Sequence, residues 1–209
     1  MLQPYFKQSL LEVGIDEAGR GCLFGPVCVA GVVWSPDIDD PRLELIQDSK
    51  KLSEKKRQIA KEFILESAVA WSVQFVSSEE IDQTNILKAT MAGMHRCIDE
   101  IREQMEVDLL LIDGDKFKLY TDENLEPIDH RCIIGGDNTY QSIAAASILA
   151  KTFRDESIVN LCQSRPELLD YDIHNNKGYG TKKHMDRLKE KGPVVGHRFS
   201  FKPCYPIQN

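Results

Sequence analysis

Asp16 and Glu17 stand side by side at the end of an apolar run, Leu10 to Ile15, and Gly19-Arg20-Gly21 follows at once. Adjacent carboxylates are hard oxygen donors for a divalent cation. A guanidinium between glycines offers a planar fork to phosphate or sugar oxygens, on backbone that a ligand can approach closely. Alone, an acidic pair at a strand end is an ordinary solvated edge. Here the pattern repeats. Leu109-Leu110-Leu111-Ile112 closes on Asp113-Gly114-Asp115, and Cys132-Ile133-Ile134 leads through Gly135-Gly136 to Asp137. Carboxylates without histidine or thiolate partners suit Mg²⁺ or Mn²⁺, not zinc. Such a cluster repels itself when empty. Paired divalent ions offset that repulsion and attract a phosphodiester, so the chemistry indicated is phosphodiester hydrolysis.

The elements that must position these groups follow from hydrophobic pattern. Strands are expected at 10–16, 26–34, 69–76, 108–113 and 130–134, and helices at 53–67, 84–105, 141–163 and 181–190. Asp16 and Glu17 would close the first strand, where neighbours point to opposite faces. They share an ion only if the backbone bends or the longer Glu reaches round. Val27 to Trp34 is apolar on both faces. In Val69 to Phe75, alternation groups Val69, Trp71, Val73 and Phe75 on one face of a half-exposed strand. Ser53 suits an N-cap. Ala144 to Ala146 lets a helix pack closely on the sheet, while Lys151, Arg154 and Asp155 face either the cleft or solvent. Strands alternating with helices fit an α/β layer architecture.

With 209 residues, 42% of them hydrophobic, the chain can bury one sizeable core, and no linker or repeat divides it. One domain is expected over 1–209. No apolar run approaches the about 18 residues of a membrane helix, and Met1 to Lys7 lacks a signal-peptide pattern. Six scattered cysteines without a Cys-x-x-Cys pair point to a reducing cytoplasm. Cys22, Cys28 and Cys132 read as core residues. His174, His184 and His197 show no zinc spacing. The net charge of −7 argues against a polyanion partner, but its distribution does not: residues 151–209 hold 11 Lys and Arg against 7 Asp and Glu. Lys177, Lys182, Lys183, Arg187, Lys189, Lys191, Arg198 and Lys202 can line a duplex groove, with Tyr179 among them as a stacking surface.

From about Val13 to Pro203 the chain resembles ribonuclease HII, the type 2 ribonuclease H. The resemblance rests on Asp16-Glu17-Ala18-Gly19-Arg20-Gly21 with Gly25-Pro26, on Asp48-Ser49-Lys50-Lys51-Leu52, on Asp113-Gly114, and on Gly136-Asp137 with Ala144 to Lys151. Arg154-Asp155, His174 to Thr181 and His197-Arg198-Phe199-Ser200-Phe201 complete the order. It implies a ribonuclease H-like mixed five-stranded sheet flanked by helices, with C-terminal helical additions, residues ~160–209 forming a substrate-binding part. It implies an endonuclease that hydrolyses the RNA strand of RNA–DNA hybrids and incises 5′ to ribonucleotides in duplex DNA, leaving 3′-hydroxyl and 5′-phosphate ends. The partners are then nucleic acid and not membrane, the protein is expected to be a monomer, and the cofactor is Mn²⁺ or Mg²⁺.

By the same resemblance Asp16, Glu17, Asp113 and Asp137 bind the metals. Gly19, Arg20 and Gly21 read the ribose 2′-hydroxyl, Tyr179 stacks on the next sugar, and Lys50, Lys151 and Lys177 contact substrate. His174 and His197 shape the substrate loop. Gly135 replaces a frequent lysine, Asp115 a neutral residue and Phe24 a smaller one, so Asp115 can take the role assigned to Asp113. A type 3 enzyme would share the carboxylates but carry an additional N-terminal domain, whereas about a dozen residues precede the first strand here. A non-catalytic binding module would gain nothing from four carboxylates beside phosphate.

Overall fold

The computed structural model describes residues 2–122 and 124–205. Five strands, β1 (Glu12–Ala18), β2 (Val27–Val33), β3 (Ala70–Val76), β4 (Leu109–Asp113) and β5 (Asp129–Ile133), form one sheet in the order β3-β2-β1-β4-β5. β1 pairs antiparallel with β2 and parallel with β4, and β4 pairs parallel with β5, so the sheet is mixed. The helices are α1 (Glu54–Ser67), α2 (Ser78–Gln83), α3 (Ile86–Arg102), α4 (Gln141–Ser164), α5 (Ile173–Asn176) and α6 (Lys182–Lys191).

Alternation along β1 sends its residues to two cores. Val13 and Ile15 join Val29, Leu110 and Ile112 under Met94, Cys97, Ile98 and Ile101 of α3. On the other face Ala30 and Val32 meet Phe63 and Ile64 of α1 and Ala145, Ile148 and Leu149 of α4. Gly14 explains how closely α4 lies: a Cβ there would stand 2.3 Å from the Ser142 backbone. Ser53 caps α1, its hydroxyl accepting from Lys56 N–H. A third apolar cluster joins Leu23 and Phe24 to Ile158 of α4 and to Leu168, Tyr171, Ile173, Leu188 and Cys204, so the C-terminal elements pack onto the loop after β1.

Three expectations need correction. The first strand runs through Ala18, so Asp16 and Glu17 lie within it, opposite Ala30 and Val29 of β2. The stretch expected as one helix over 84–105 starts at Ile86, capped by Asn85, and is preceded by α2, whose capping box joins Ser77 and Glu80. Cys132 is exposed, because β5 is an edge strand. β3 is half exposed, as expected: the face bearing Trp71 and Phe75 is the open one, while Ala70, Ser72 and Val76 are buried. That face lies at the sheet margin, where Trp71 stacks on Phe153.

Candidate active site

The register places the first carboxylates. Ile15 pairs with Ile112 in parallel, so the residues that follow, Asp16 and Asp113, are neighbours on the α4 face of the sheet, and Glu17 turns to the α3 face. Asp16 is buried and accepts its own neighbour's N–H, from Glu17 at 2.6 Å. Burial raises its pKa well above the usual carboxylate range; the charges of Glu17 and Asp113 add to the rise, and the Ser147 hydroxyl of α4 opposes it. Glu17 is raised too, first by burial, while Arg20, whose Nη1 stands 3.1 Å from Oε1, pulls the other way. Asp113 accepts from Gly136 N–H at 2.8 Å and is raised by burial and by the charge of Asp137. The turn at Gly136–Asn138 thus brings buried Asp137 beside Asp113, where it accepts from the Asn138 amide. Lys50, just after the Asp48 cap of a short 3-10 turn, lowers the pKa of both Glu17 and Asp113. Asp115 lines the same cleft as Glu17, Arg20 and Asp113, walled by Leu87, Thr90, Met91 and Met94 of α3.

Among the described residues no three His, Cys, Asp or Glu side chains converge as a ready-made cage. Each carboxylate is turned to a donor of its own, as mutual repulsion requires. The donor set still fits a hard divalent ion. Mg²⁺ keeps several waters and takes one or two carboxylates plus substrate phosphate oxygens, without an all-protein cage.

The substrate-side residues gather on one rim. Gly19 has φ +96°, a conformation that L side chains rarely adopt, and a Cβ there would fall on the Arg154 guanidinium. A Cβ on Gly21 would meet nothing within 4 Å, so the outer side of the loop is open. Leu23 N–H donates to Gly178 O at 2.8 Å, which brings the segment bearing Tyr179 against this loop. Tyr179 is 42% exposed, with the Lys151 ammonium 5.7 Å from its ring centre. Lys151 also pairs with Asp155, and Lys177 Nζ donates to His174 O.

The basic C-terminal surface is more neutral than its composition promised. Lys182, Lys183, Arg187 and Lys191 pair with Asp186, Asp172, Glu190 and Asp170. Such exposed pairs are worth little and open readily toward a phosphate. Arg198, expected among the groove residues, is fully buried; so is Arg154. Both donate only to backbone carbonyls around the loop after β1 and at Lys177. His197 does reach this region, packing edge-on against Phe24 and hydrogen-bonding to His184 at 3.0 Å. Sequence reasoning also missed Asp82 of α2, whose carboxylate holds the Phe199 and Ser200 N–H groups. Its only signal was the Ser77-x-x-Glu80 box that starts the helix.

Residues 13–204 match the model of the family described as Ribonuclease HII. A ribonuclease HII of Bacteroides fragilis is 47% identical over 201 residues, covering 96% of this chain and 94% of that protein. Among solved structures, the PCNA:RNase HII complex from Archaeoglobus fulgidus contains a chain 29% identical, with a TM-score of 0.67 over 86% of this chain and 85% of that one. Ribonuclease H2 from Pyrococcus horikoshii OT3 superposes with a TM-score of 0.73 over 92% and 94%, and at 18% identity that likeness speaks for the fold.

Proposed function

The chain belongs to the ribonuclease HII family, and from that premise we propose that it incises duplex DNA 5′ to an embedded ribonucleotide by two-metal hydrolysis. As a member of the family it is a metal-dependent hydrolase that cleaves the RNA strand of RNA–DNA hybrids. The observation that carries the finer reading is the meeting of Asp16 and Asp113 on one face of the sheet with the Gly19–Gly21 loop at its rim.

Asp16, Glu17, Asp113 and Asp137 are the residues to hold Mn²⁺ or Mg²⁺. Bound as a pair, the ions supply positive charge for the attacking and departing oxygens at phosphorus. Asp16 contributes buried oxygens already poor in solvation and Asp113 half-buried ones, so an incoming cation displaces less water than at an open surface. Glu17 gives up Arg20 when its charge is taken elsewhere, which frees that guanidinium for a phosphate or sugar oxygen. Gly19, Arg20 and Gly21 read the 2′-hydroxyl, the group that separates ribose from deoxyribose. Tyr179 stacks on the following sugar, and Lys50, Lys151 and Lys177 meet phosphates. Residues from about 160 onward serve as the substrate-binding part of one domain, and the enzyme acts as a monomer. The ends left are a 3′-hydroxyl and a 5′-phosphate.

The test is a labelled DNA duplex with one ribonucleotide, incubated with Mg²⁺, with Mn²⁺ and with chelator, beside an all-DNA control. Metal-dependent incision only 5′ to the ribonucleotide supports the reading. Cleavage of long hybrids but not of this substrate refutes it.

A further inference from the structure

Arg154 and Arg198 are the largest fully buried side chains among the described residues, and every hydrogen bond they donate ends on a backbone carbonyl. Two cations buried without a carboxylate partner are costly, and a core of plain packing does not use them. Burial draws the pKa of Arg198 down to about 10, which still leaves it charged at neutral pH.

Their acceptors are specific. Arg198 Nη2 reaches Gly19 O and Nη1 reaches Arg20 O, each at 2.8 Å, and Gly19 O also takes Cys22 N–H to close a turn. In a trans peptide the N–H points opposite to the C=O. Fixing Gly19 O and Arg20 O on a buried guanidinium therefore aims the N–H groups of Arg20 and Gly21 outward. Neither donates to an acceptor among the described residues, and the space beside Gly21 is open. A cation on the carbonyl end also polarises each peptide, which strengthens its N–H as a donor. Arg154 fixes the rest of the frame: Nε reaches Pro26 O at 2.8 Å, Nη2 reaches Phe24 O and Nη1 reaches Lys177 O at 2.9 Å, two residues before Tyr179.

We infer that Arg198, with Arg154 behind it, is a positioning residue that turns the Arg20 and Gly21 N–H groups into the cleft and so sets discrimination for a ribose 2′-oxygen. This rests on the reading of the Gly19–Gly21 loop as the part that meets the ribose. The two arginines touch no substrate; they hold the donors that do, and hold them in one frame with Tyr179.

The experiment compares affinities, in chelator so that nothing is cut, for a duplex carrying one ribonucleotide and for the all-DNA duplex of the same sequence. Arg198→Lys keeps the charge and loses the fork. Its expected effect is a fall of about tenfold in the ribonucleotide-to-DNA affinity ratio, the loss of a well-formed hydrogen bond, with all-DNA affinity unchanged. Gly21→Ala, which crowds the open side, should lower the same ratio. If Gly21→Ala lowers it and a folded Arg198→Lys does not, the positioning role is overturned and the loop reading stands. If neither variant moves it, or the wild type shows no preference, both fall. Should Arg198→Lys not fold, the wild-type amide resonances of Arg20 and Gly21 decide. Shifts on adding the ribonucleotide duplex that the all-DNA duplex does not reproduce support the role, and identical responses overturn it.

Discussion

Acidification should weaken the fold through the buried His184–His197 pair, by an amount that follows from one pKa. His197 is buried beside Phe24 and Tyr171, and desolvation draws its pKa down to about 4; His184, also buried, is lowered in the same way. The neutral pair makes a directed chain: Val194 N–H to His197 Nδ1 at 3.0 Å, His197 Nε2–H to His184 Nε2 at 3.0 Å, and His184 Nδ1–H to Tyr179 O at 2.9 Å. The unfolded chain takes up a proton near pH 6.5 and the folded one does not until about pH 4, so stability is present above 6.5 and is lost as pH falls between the two values. For His197 alone the loss from pH 7 to pH 5 is roughly 1.8 kcal/mol. Asp16, Glu17 and Asp113 have raised pKa values and act with the opposite sign, so the assay must be a difference. Urea unfolding of wild type and His197→Gln at both pH values cancels the carboxylates common to both chains. The wild type should lose about 1.8 kcal/mol more than the variant. His197 Nδ1 also lies 2.9 Å from Val194 O, the partner a protonated ring would use. Equal losses in the two proteins, or a smaller loss in the wild type, would mean that the pair carries a proton in the fold, and the desolvation argument would fail.

Asp113→Asn should abolish cleavage while leaving duplex binding in a gel-shift assay intact, and full activity in that variant would move the ligand role to Asp115. Gly14→Ala drives a methyl into the Ser142 backbone and should cost about 2–3 kcal/mol in urea unfolding; no loss would mean that α4 can retreat from the sheet. Mn²⁺ at about a hundred times its Kd should stabilise the fold by about 2.7 kcal/mol in thermal unfolding. That increment should shrink as pH falls, because carboxylates with raised pKa values must shed protons to bind, and Asp16→Asn should remove most of it. Tyr179→Ala should lower the preference for an RNA-to-DNA junction in competitive cleavage more than it lowers Mn²⁺ stabilisation.

What was legible in the chain was whatever a short period or a chain-adjacent motif encodes. β2 and β4 are unbroken apolar runs because both their faces are covered, and the carboxylates at the ends of β1 and β4 come together because those strands pair in parallel. Hydrophobic pattern does not encode what position in the sheet decides. Cys132 sits in an apolar run, yet β5 has a neighbour on one side only. Which face of half-exposed β3 is the open one is likewise set by its neighbours: α3 packs on the side opposite Trp71 and Phe75, and the margin leaves these two exposed. The edge of a sheet is a property of strand order, which no single strand carries.

Arg198 runs against its sequence context. A cation near the end of a basic segment is assigned to a polyanion because burial of an unpaired charge is the rarer outcome. Here the acceptors that make burial possible are carbonyls of Gly19, Arg20 and Gly25, more than 170 positions away in the chain, and a carbonyl leaves no trace in residue type. The same fact changes how the site's charge should be pictured. On one side of the loop lie carboxylates whose pKa values are raised by burial and by each other; on the other lie two guanidiniums held under the backbone. A phosphodiester approaching a protein of net charge −7 therefore meets, at this loop, peptide N–H groups backed by fixed cations, and its attraction depends less on exposed lysines such as Lys182, Lys183 and Lys191, which already have acidic partners. Binding that leans on buried charge is screened less by salt than binding through surface lysines. The salt dependence of ribonucleotide recognition should accordingly be shallower than that of all-DNA binding, and equal slopes would return the recognition to the surface.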